Sequence, residues 1–491
     1  MKSKKQKIQS QKKQRNTKKN SRKQREEYDI IILGGGIAGI YTLYQLIKNP
    51  HFSQKRILLL EKSERLGGRI YSTNPYKNHP EDVIEAGAGR FSQKHILLHQ
   101  LIKELNLENK IEKTTSKSEY YPIHPETNID FILQNENILQ PLKNIILYDK
   151  PKITELILKV IIYSKFENPD YLRSVSFVEY AKGILTKEEI QQIQDGFGYY
   201  SELVIMNTYD AIHLMENLNP DNDFYILNGG LTQINERMID FVIKTQKKNP
   251  FKINQKVMNI RQLFSQNDNE KENKQEKYEI QTQNKKYITE TIICALPKNV
   301  LEKISFFKPV YPFLSKIKCS PLCRIYSRFS TTTTTPQNKI WFYNLPKLTT
   351  NNHLRIVIPI NKEKGIIMIS YTDNKFADYW YKIYKKDGMK ILNEKLKKEI
   401  EQSTGIIIPR EPLQTNVYYW GCGVGYWGIG ANSKEISQKM IQPFINETKI
   451  NDMKHIFCCG EHYSEKNQQW IEGALETSTK VLEKLIYNVE E

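Results

Sequence analysis

The run Tyr28-Asp29-Ile30-Ile31-Ile32-Leu33 leads directly into Gly34-Gly35-Gly36-Ile37-Ala38-Gly39, and this junction limits the fold more tightly than anything else in the chain. An apolar strand ends at a Gly-x-Gly-x-x-Gly spacing, and Leu43, Leu46 and Ile47 then share one face of a helix. In a strand-turn-helix unit each glycine lacks a side chain for its own reason. Gly34 permits the tight turn, Gly36 lets a pyrophosphate approach the backbone, and Gly39 lets the helix pack close to the sheet. The amides of Ile37 and Ala38 open the helix, where unpaired N–H groups and the positive dipole end favour phosphate oxygens.

A glycine fingerprint alone is a weak signal, but this one has support. The strand Ile57 to Leu60 ends in Glu61, somewhat beyond the usual spacing of about 20 residues for the acid that binds a ribose hydroxyl. Glu64-Arg65-Leu66-Gly67-Gly68-Arg69 follows directly. At the far end stand Ile456-Phe457-Cys458-Cys459-Gly460-Glu461 and then Trp470-Ile471-Glu472-Gly473-Ala474. The two ends read as halves of one dinucleotide site.

At 491 residues the chain can hold two domains, and 39% hydrophobic with 11% aromatic residues can build a core. The formal charge of +18 suggests nucleic acid until it is located. Residues 1–27 carry twelve Lys/Arg against Glu26 and Glu27, and so supply +10 of it. That stretch is almost free of apolar residues and is expected to be a disordered basic tail, either solubilising or an anchor to nucleic acid or another anionic surface. It has no apolar segment of the secretory type, and no stretch approaches the ~20 apolar residues of a membrane helix. The six cysteines lack paired Cys-x-x-Cys spacing, so neither a zinc site nor a disulfide framework is expected. An intracellular location, cytoplasmic or nuclear, fits these features.

Along the chain, residues 28–115, 223–300 and 411–491 carry the cofactor-type segments. Residues 116–222, which look mostly helical, and 301–410 separate them. This predicts an α/β fold, a Rossmann-like dinucleotide-binding domain interleaved with an α+β substrate domain. Thr186-Lys187-Glu188-Glu189 has the form of a capping box. The polar residues 265–278 are expected at a hairpin tip.

These motifs resemble those of the flavin-containing amine oxidases, the group of monoamine, polyamine and L-amino-acid oxidases. The likeness spans roughly residues 28–490 and is strongest at the ends. It implies bound FAD with Glu61 on the adenosine ribose and Arg65, Gly68 and Arg69 along the pyrophosphate and flavin. It also implies Gly87 in the turn near the flavin, Val257 on adenine, Gly460 and Glu461 by the ribityl and phosphate region, and the Ile471 amide near flavin O2. Lys303, after Ala295-Leu296-Pro297, matches the stretch whose lysine holds a water against flavin N5. Trp470 matches one wall of an aromatic cage, and Tyr426 or Trp427 is expected to form the other. Monoamine oxidases attach the flavin through a cysteine beside that wall, but Cys422 falls several residues early, so the FAD is expected to be non-covalent. Arg90, after Gly87-Ala88-Gly89, resembles the arginine with which amino-acid oxidases hold a substrate carboxylate.

The implied reaction is oxidative deamination of a small amine or L-amino acid by molecular oxygen, giving a carbonyl product, ammonia and hydrogen peroxide. No nucleophilic triad is required, and no metal site is expected. Other flavin enzymes share the scaffold, among them protoporphyrinogen oxidases, desaturases and lysine demethylases. A flavin-binding protein with a structural role at nucleic acid is the alternative of a different class.

Overall fold

The structure, a computed structural model, describes residues 25–76, 82–114, 119–121, 153–217, 223–263, 276–331, 339–445 and 453–490. Its first layer is a seven-stranded sheet. Strands run in the order Val257–Leu263, Lys277–Thr282, Lys286–Cys294, Arg25–Leu33, Ile57–Leu60, Phe251–Lys252, and Ile456–Cys458 also pairs with Lys286–Cys294. The central pairings are parallel, with Ile31 opposite Leu58 on one side and Ile292 on the other. Strands covered by helices on both faces must be apolar throughout. Accordingly Ile30 to Leu33 and all of Ile57–Leu60 are buried. The helices Ile37–Lys48, Thr232–Thr245 and Ile471–Glu490 pack together over one face through Leu43, Leu46, Ile234, Met238 and Leu475.

A second, six-stranded sheet runs Gln414–Trp427, Ile317–Arg328, Ile366–Asp373, Ile356–Asn361, Leu348–Thr350, Glu119–Tyr121. The helix Asn374–Thr404, broken where Gly388 takes φ +83°, covers it with Trp380, Leu392, Leu396 and Ile400. Residues 153–217 form a cluster of short helices around Val160, Phe177, Leu203 and Met215. The Thr186 capping box is present, with reciprocal bonds between Thr186 and Glu189.

The expected fold class holds, but details differ. Residues 25–27 are not tail. They begin the first strand, pairing in register with Lys286, Tyr287 and Ile288, where Glu26 meets Lys252 and Lys285 and Glu27 meets Lys277. Residues 1–24, and with them the expected anchor to nucleic acid or an anionic surface, lie outside the described residues. So does most of the 265–278 hairpin tip, of which 277–278 already belong to a strand. The strand Gln414–Trp427 joins the second sheet by pairing with Ile317–Arg328, although its sequence neighbours serve the first. Among the described residues no helix is long and apolar enough to cross a membrane.

Candidate functional site

One cavity of about 1550 Å³ runs between the two sheets. Its volume exceeds the ~300–1,000 Å³ of an ordinary small-ligand pocket, as a dinucleotide plus substrate would need. The glycine turn forms one wall. Gly34 takes φ +106°, and a Cβ there would stand 2.4 Å from Ala295 O. A Cβ on Gly36 would have its nearest neighbour 3.9 Å away, so its bare backbone faces open cavity beside the first amides of the helix, Ile37 and Ala38. Gly39 does not line the cavity. A Cβ on it would lie 2.0 Å from Gly34 O, the close helix-sheet approach expected of it.

Glu61 is fixed toward this wall. Its Oε2 accepts from the Gly35 amide at 2.7 Å, and Oε1 accepts from Ser63 N at 2.8 Å and Ser63 Oγ at 2.6 Å. Arg65 turns onto its own loop, donating to Gly68 O (2.6 Å) and Leu66 O (3.2 Å) with its guanidinium 4.1 Å over the Tyr71 ring. It therefore shapes the loop that Gly68 lines. Arg69 pairs with Glu461 and donates to Gly423 O at 3.0 Å. Burial raises the Glu461 carboxyl, but His462, Arg69 and the Gln469 amide outweigh it and hold the group well below the usual carboxylate range. That amide comes from a non-glycine residue at φ +73°, strained backbone of the kind concentrated at functional sites. Gly460 stands at φ +132°, and a Cβ on it would find its nearest atom 3.9 Å away, so it too presents bare backbone to the cavity. Val257, Gly87 and Ile471 also line it. The bare glycines, the helix start at Ile37 and the fixed Glu61 carboxylate fit a dinucleotide.

The opposite end is aromatic. Trp470 stacks on Phe224, with centroids 5.9 Å apart and planes at 24°, and meets His95 edge-on at 4.9 Å. Tyr426 lines the cavity, but Trp427 does not. Successive strand residues face opposite sides, so Trp427 enters the core under the first sheet, where Nε1 donates to Glu465 O at 3.1 Å. Trp420, on the same strand, lines the cavity instead and donates Nε1–H to Ala86 O at 2.7 Å. Arg90 lies 4.3 Å over the Phe224 ring and donates to Tyr199 Oη at 3.3 Å.

Lys303 also lines the cavity. It is exposed, and two residues later Ser305 Oγ lies 3.5 Å from Asn259 Oδ1, on the strand that Val257 begins. Its turn is held to the first sheet by Ile304, in the same core as Ile260. A second cation at the aromatic end is Arg324, beside the turn that carries Arg90. It donates Nη1–H to Glu85 O at 2.8 Å and lies 4.6 Å over the Tyr371 ring. Neither Arg90 nor Arg324 pairs with a carboxylate within 4 Å among the described residues.

Four residues here were not singled out from sequence: Arg324, Tyr199, Glu202 and Trp420. Glu202 is 4% exposed, lines the cavity, and its Oε2 has no hydrogen-bond partner. Burial raises its carboxyl well above the ordinary range, Asp373 adds to this, and Arg90 opposes it. Asp373 accepts from Tyr200 N (3.0 Å) and Ser201 N (2.7 Å), which fixes the short helix carrying Glu202. An acid inside Tyr200-Ser201-Glu202-Leu203-Val204 and a cation inside Cys323-Arg324-Ile325-Tyr326 were the available signals. Cys319 and Cys422, 103 residues apart, form a disulfide, contrary to expectation, because strand pairing brings together what spacing separates.

The sequence matches the family described as flavin containing amine oxidoreductase over residues 37–481. It is 23% identical over 510 residues to uncharacterized protein R188 of Acanthamoeba polyphaga mimivirus, covering 93% of this chain and 94% of that one. It is 40% identical over 68 residues to (S)-6-hydroxynicotine oxidase of Paenarthrobacter nicotinovorans, covering 14% of this chain and 15% of that one. The fold is similar to that of putrescine oxidase bound to putrescine, with TM-score 0.66, 15% identity, and coverage of 94% of this chain and 99% of that chain.

Proposed function

The chain belongs to the flavin-containing amine oxidoreductases, and from that premise we propose that it is a non-covalent FAD oxidase of L-amino acids. The observation that carries the substrate class is Arg90. Its guanidinium stands over Phe224, which stacks on Trp470, with no carboxylate of the protein paired to it among the described residues. A substrate carboxylate leaving water for an aromatic cavity needs such a partner, and a guanidinium supplies two parallel hydrogen bonds.

FAD, when bound, accepts a hydride from the carbon bearing the amine and passes the electron pair to oxygen, giving hydrogen peroxide and an imine that water hydrolyses to a carbonyl compound and ammonia. The protein's own groups prepare that step. Trp470, Tyr426 and Trp420 line an apolar chamber that penalises the ammonium form of the substrate and so favours the neutral amine. Arg324 supplies a fixed positive charge at that end. Gly36, Gly460 and the helix starts at Ile37 and Ile471 hold phosphates and flavin through backbone. In the oxidised protein Cys422 faces the cavity with its sulfur bonded to Cys319 rather than as a free thiol, which supports non-covalent binding.

A visible spectrum, acid precipitation and a peroxide-coupled screen of L-amino acids, monoamines and polyamines test the reading. Yellow protein that releases its flavin on precipitation and makes peroxide from amino acids is expected. Peroxide from amines alone would move the assignment to a second reading, a diamine whose distal ammonium meets Glu202. The unpartnered Glu202 Oε2 is the observation that favours it.

A further inference from the structure

The Cys319–Cys422 disulfide stands where the cofactor end of the cavity meets the aromatic end. Cys422 lines the cavity on the strand that also contributes Trp420 and Tyr426, and its neighbour Gly423 accepts from Arg69. We propose that this disulfide is redox-active and takes up the electron pair of the reduced flavin, giving the enzyme an internal dithiol–disulfide acceptor beside oxygen. The proposal rests on flavin occupying the cavity.

The surroundings of the sulfur favour its reduction product. His462 Nε2 lies 3.9 Å from Cys422 Sγ. His462 Nδ1 accepts from the Lys298 amide at 3.2 Å, so a neutral imidazole carries its proton on Nε2, beside the sulfur and 3.0 Å from Glu461 Oε1. Burial holds that imidazole below its usual pKa against the pull of Glu461, with Arg69 and Lys298 acting in the same direction as burial. Arg69 Nη1 lies 3.2 Å from the same nitrogen. A cysteine sulfur next to an N–H donor is stabilised as thiolate, and Arg69, on the far side of that imidazole nitrogen, offsets the Glu461 carboxylate. The other four cysteines, Cys294, Cys323, Cys458 and Cys459, are buried and free, and burial raises the thiols of Cys323, Cys458 and Cys459. They have the character of packed, inert side chains; the disulfide alone faces the cofactor cavity.

The step balances without another reactant. Reduced flavin anion gives up a hydride equivalent, two electrons and one proton. The S–S bond breaks, Cys422 leaves as thiolate beside His462, and Cys319 takes the proton as a thiol. The flavin returns to its oxidised form.

The test counts thiols rather than turnover. Holoenzyme whose flavin content has been set by its visible spectrum is photoreduced anaerobically with EDTA, quenched in acid with a thiol-alkylating reagent, and analysed by peptide mass spectrometry. Two newly alkylated residues per chain are expected, Cys319 and Cys422, with apoprotein under the same light showing neither. A disulfide that survives full flavin bleaching overturns the proposal, as does equal reduction in the apoprotein. A colourless preparation that cannot take up FAD is a different failure, since it removes the cofactor reading itself and the relay with it. The variant Cys319→Ser leaves Cys422 free, and a long-wavelength thiolate-to-flavin charge-transfer band is expected that Cys422→Ser lacks. Identical spectra from the two variants would place Cys422 out of contact with the flavin and overturn the proposal by an independent readout.

Discussion

The guanidinium of Arg324 occupies the space that a side chain on Gly89 would fill. A Cβ there would stand 2.8 Å from Nη1 and 3.3 Å from Nη2. The glycine-rich turn that ends in Arg90 thus admits a second cation from the other sheet, and Glu85 O in the same turn holds it. Gly89→Ala is expected to displace Arg324 from that carbonyl. Overpacking of this kind costs about 1–3 kcal/mol, and kcat/KM should fall by roughly tenfold or more with flavin content unchanged. Thermal melts and steady-state rates on flavin-matched samples check this. Unchanged kinetics would mean that Arg324 is free to move aside without consequence.

Arg324 and Lys303 make opposite predictions for the oxygen half-reaction. A preorganised charge near a reacting centre is worth about 10²–10³ in rate. Arg324→Met should slow reoxidation of the reduced flavin by that order, and Arg324→Lys should restore part of it. On the reading that Arg324 supplies this charge, Lys303→Met should leave the rate unchanged. Stopped-flow mixing of each reduced enzyme with oxygen decides. A slow Lys303→Met beside a normal Arg324→Met would reverse the assignment.

The cofactor wall was legible in sequence because its constraints are local. Gly34, Gly36 and Gly39 act within one strand-turn-helix unit, and Glu61 within the next strand, so spacing alone carries their roles. The aromatic end is assembled from segments far apart. Arg90, Tyr199, Glu202, Arg324 and Trp420 come from distant parts of the chain, and strand register decides which side chains face inward. Trp427 and Tyr426 are adjacent in sequence and face opposite sides. Lys303 follows Ala295-Leu296-Pro297 at the spacing the resemblance requires, and Ile304 and Phe307 pack its turn beneath the first sheet. The Cys319–Cys422 pair depends wholly on which strands are neighbours. Glu472, in the Trp-Ile-Glu-Gly-Ala motif, proves structural. Its carboxylate accepts from the Leu97 and Leu98 amides, both at 2.9 Å.

Arg90→Met separates the substrate readings. If an amino-acid carboxylate pairs with Arg90 in the aromatic chamber, losing that pair should cost about 3–5 kcal/mol, or roughly two to four decades in kcat/KM. Any activity on amines without a carboxylate should survive. Both substrate classes are assayed on one flavin-matched preparation. Equal losses for both would return Arg90 to a structural role at Phe224 and Tyr199.

Asp210 sets a pH dependence of stability that is separate from catalysis. It is 6% exposed, beneath the strand end at Trp427 and Gly428. Burial raises its carboxyl from 3.8 to about 6, against hydrogen bonds from Asn207 and Ser433 and the charges of Arg173 and His213. Because the folded pKa lies above the unfolded one, the unfolded chain loses this proton first as pH rises. The folded state then binds more protons across the window from about 4 to about 6, and stability falls through it before levelling off. A shift of this size corresponds to about 3 kcal/mol. Asp210→Asn keeps an oxygen to accept from Asn207 Nδ2, now at 2.7 Å from Oδ2, and has no proton to lose. Relative to wild type, the variant should therefore gain stability steadily from about pH 4 to about pH 6 and hold that gain above it. Melting temperatures of both proteins across this range, with flavin saturating, measure the difference. A constant offset between the two curves would mean that Asp210 titrates in the folded protein as it does in the unfolded chain.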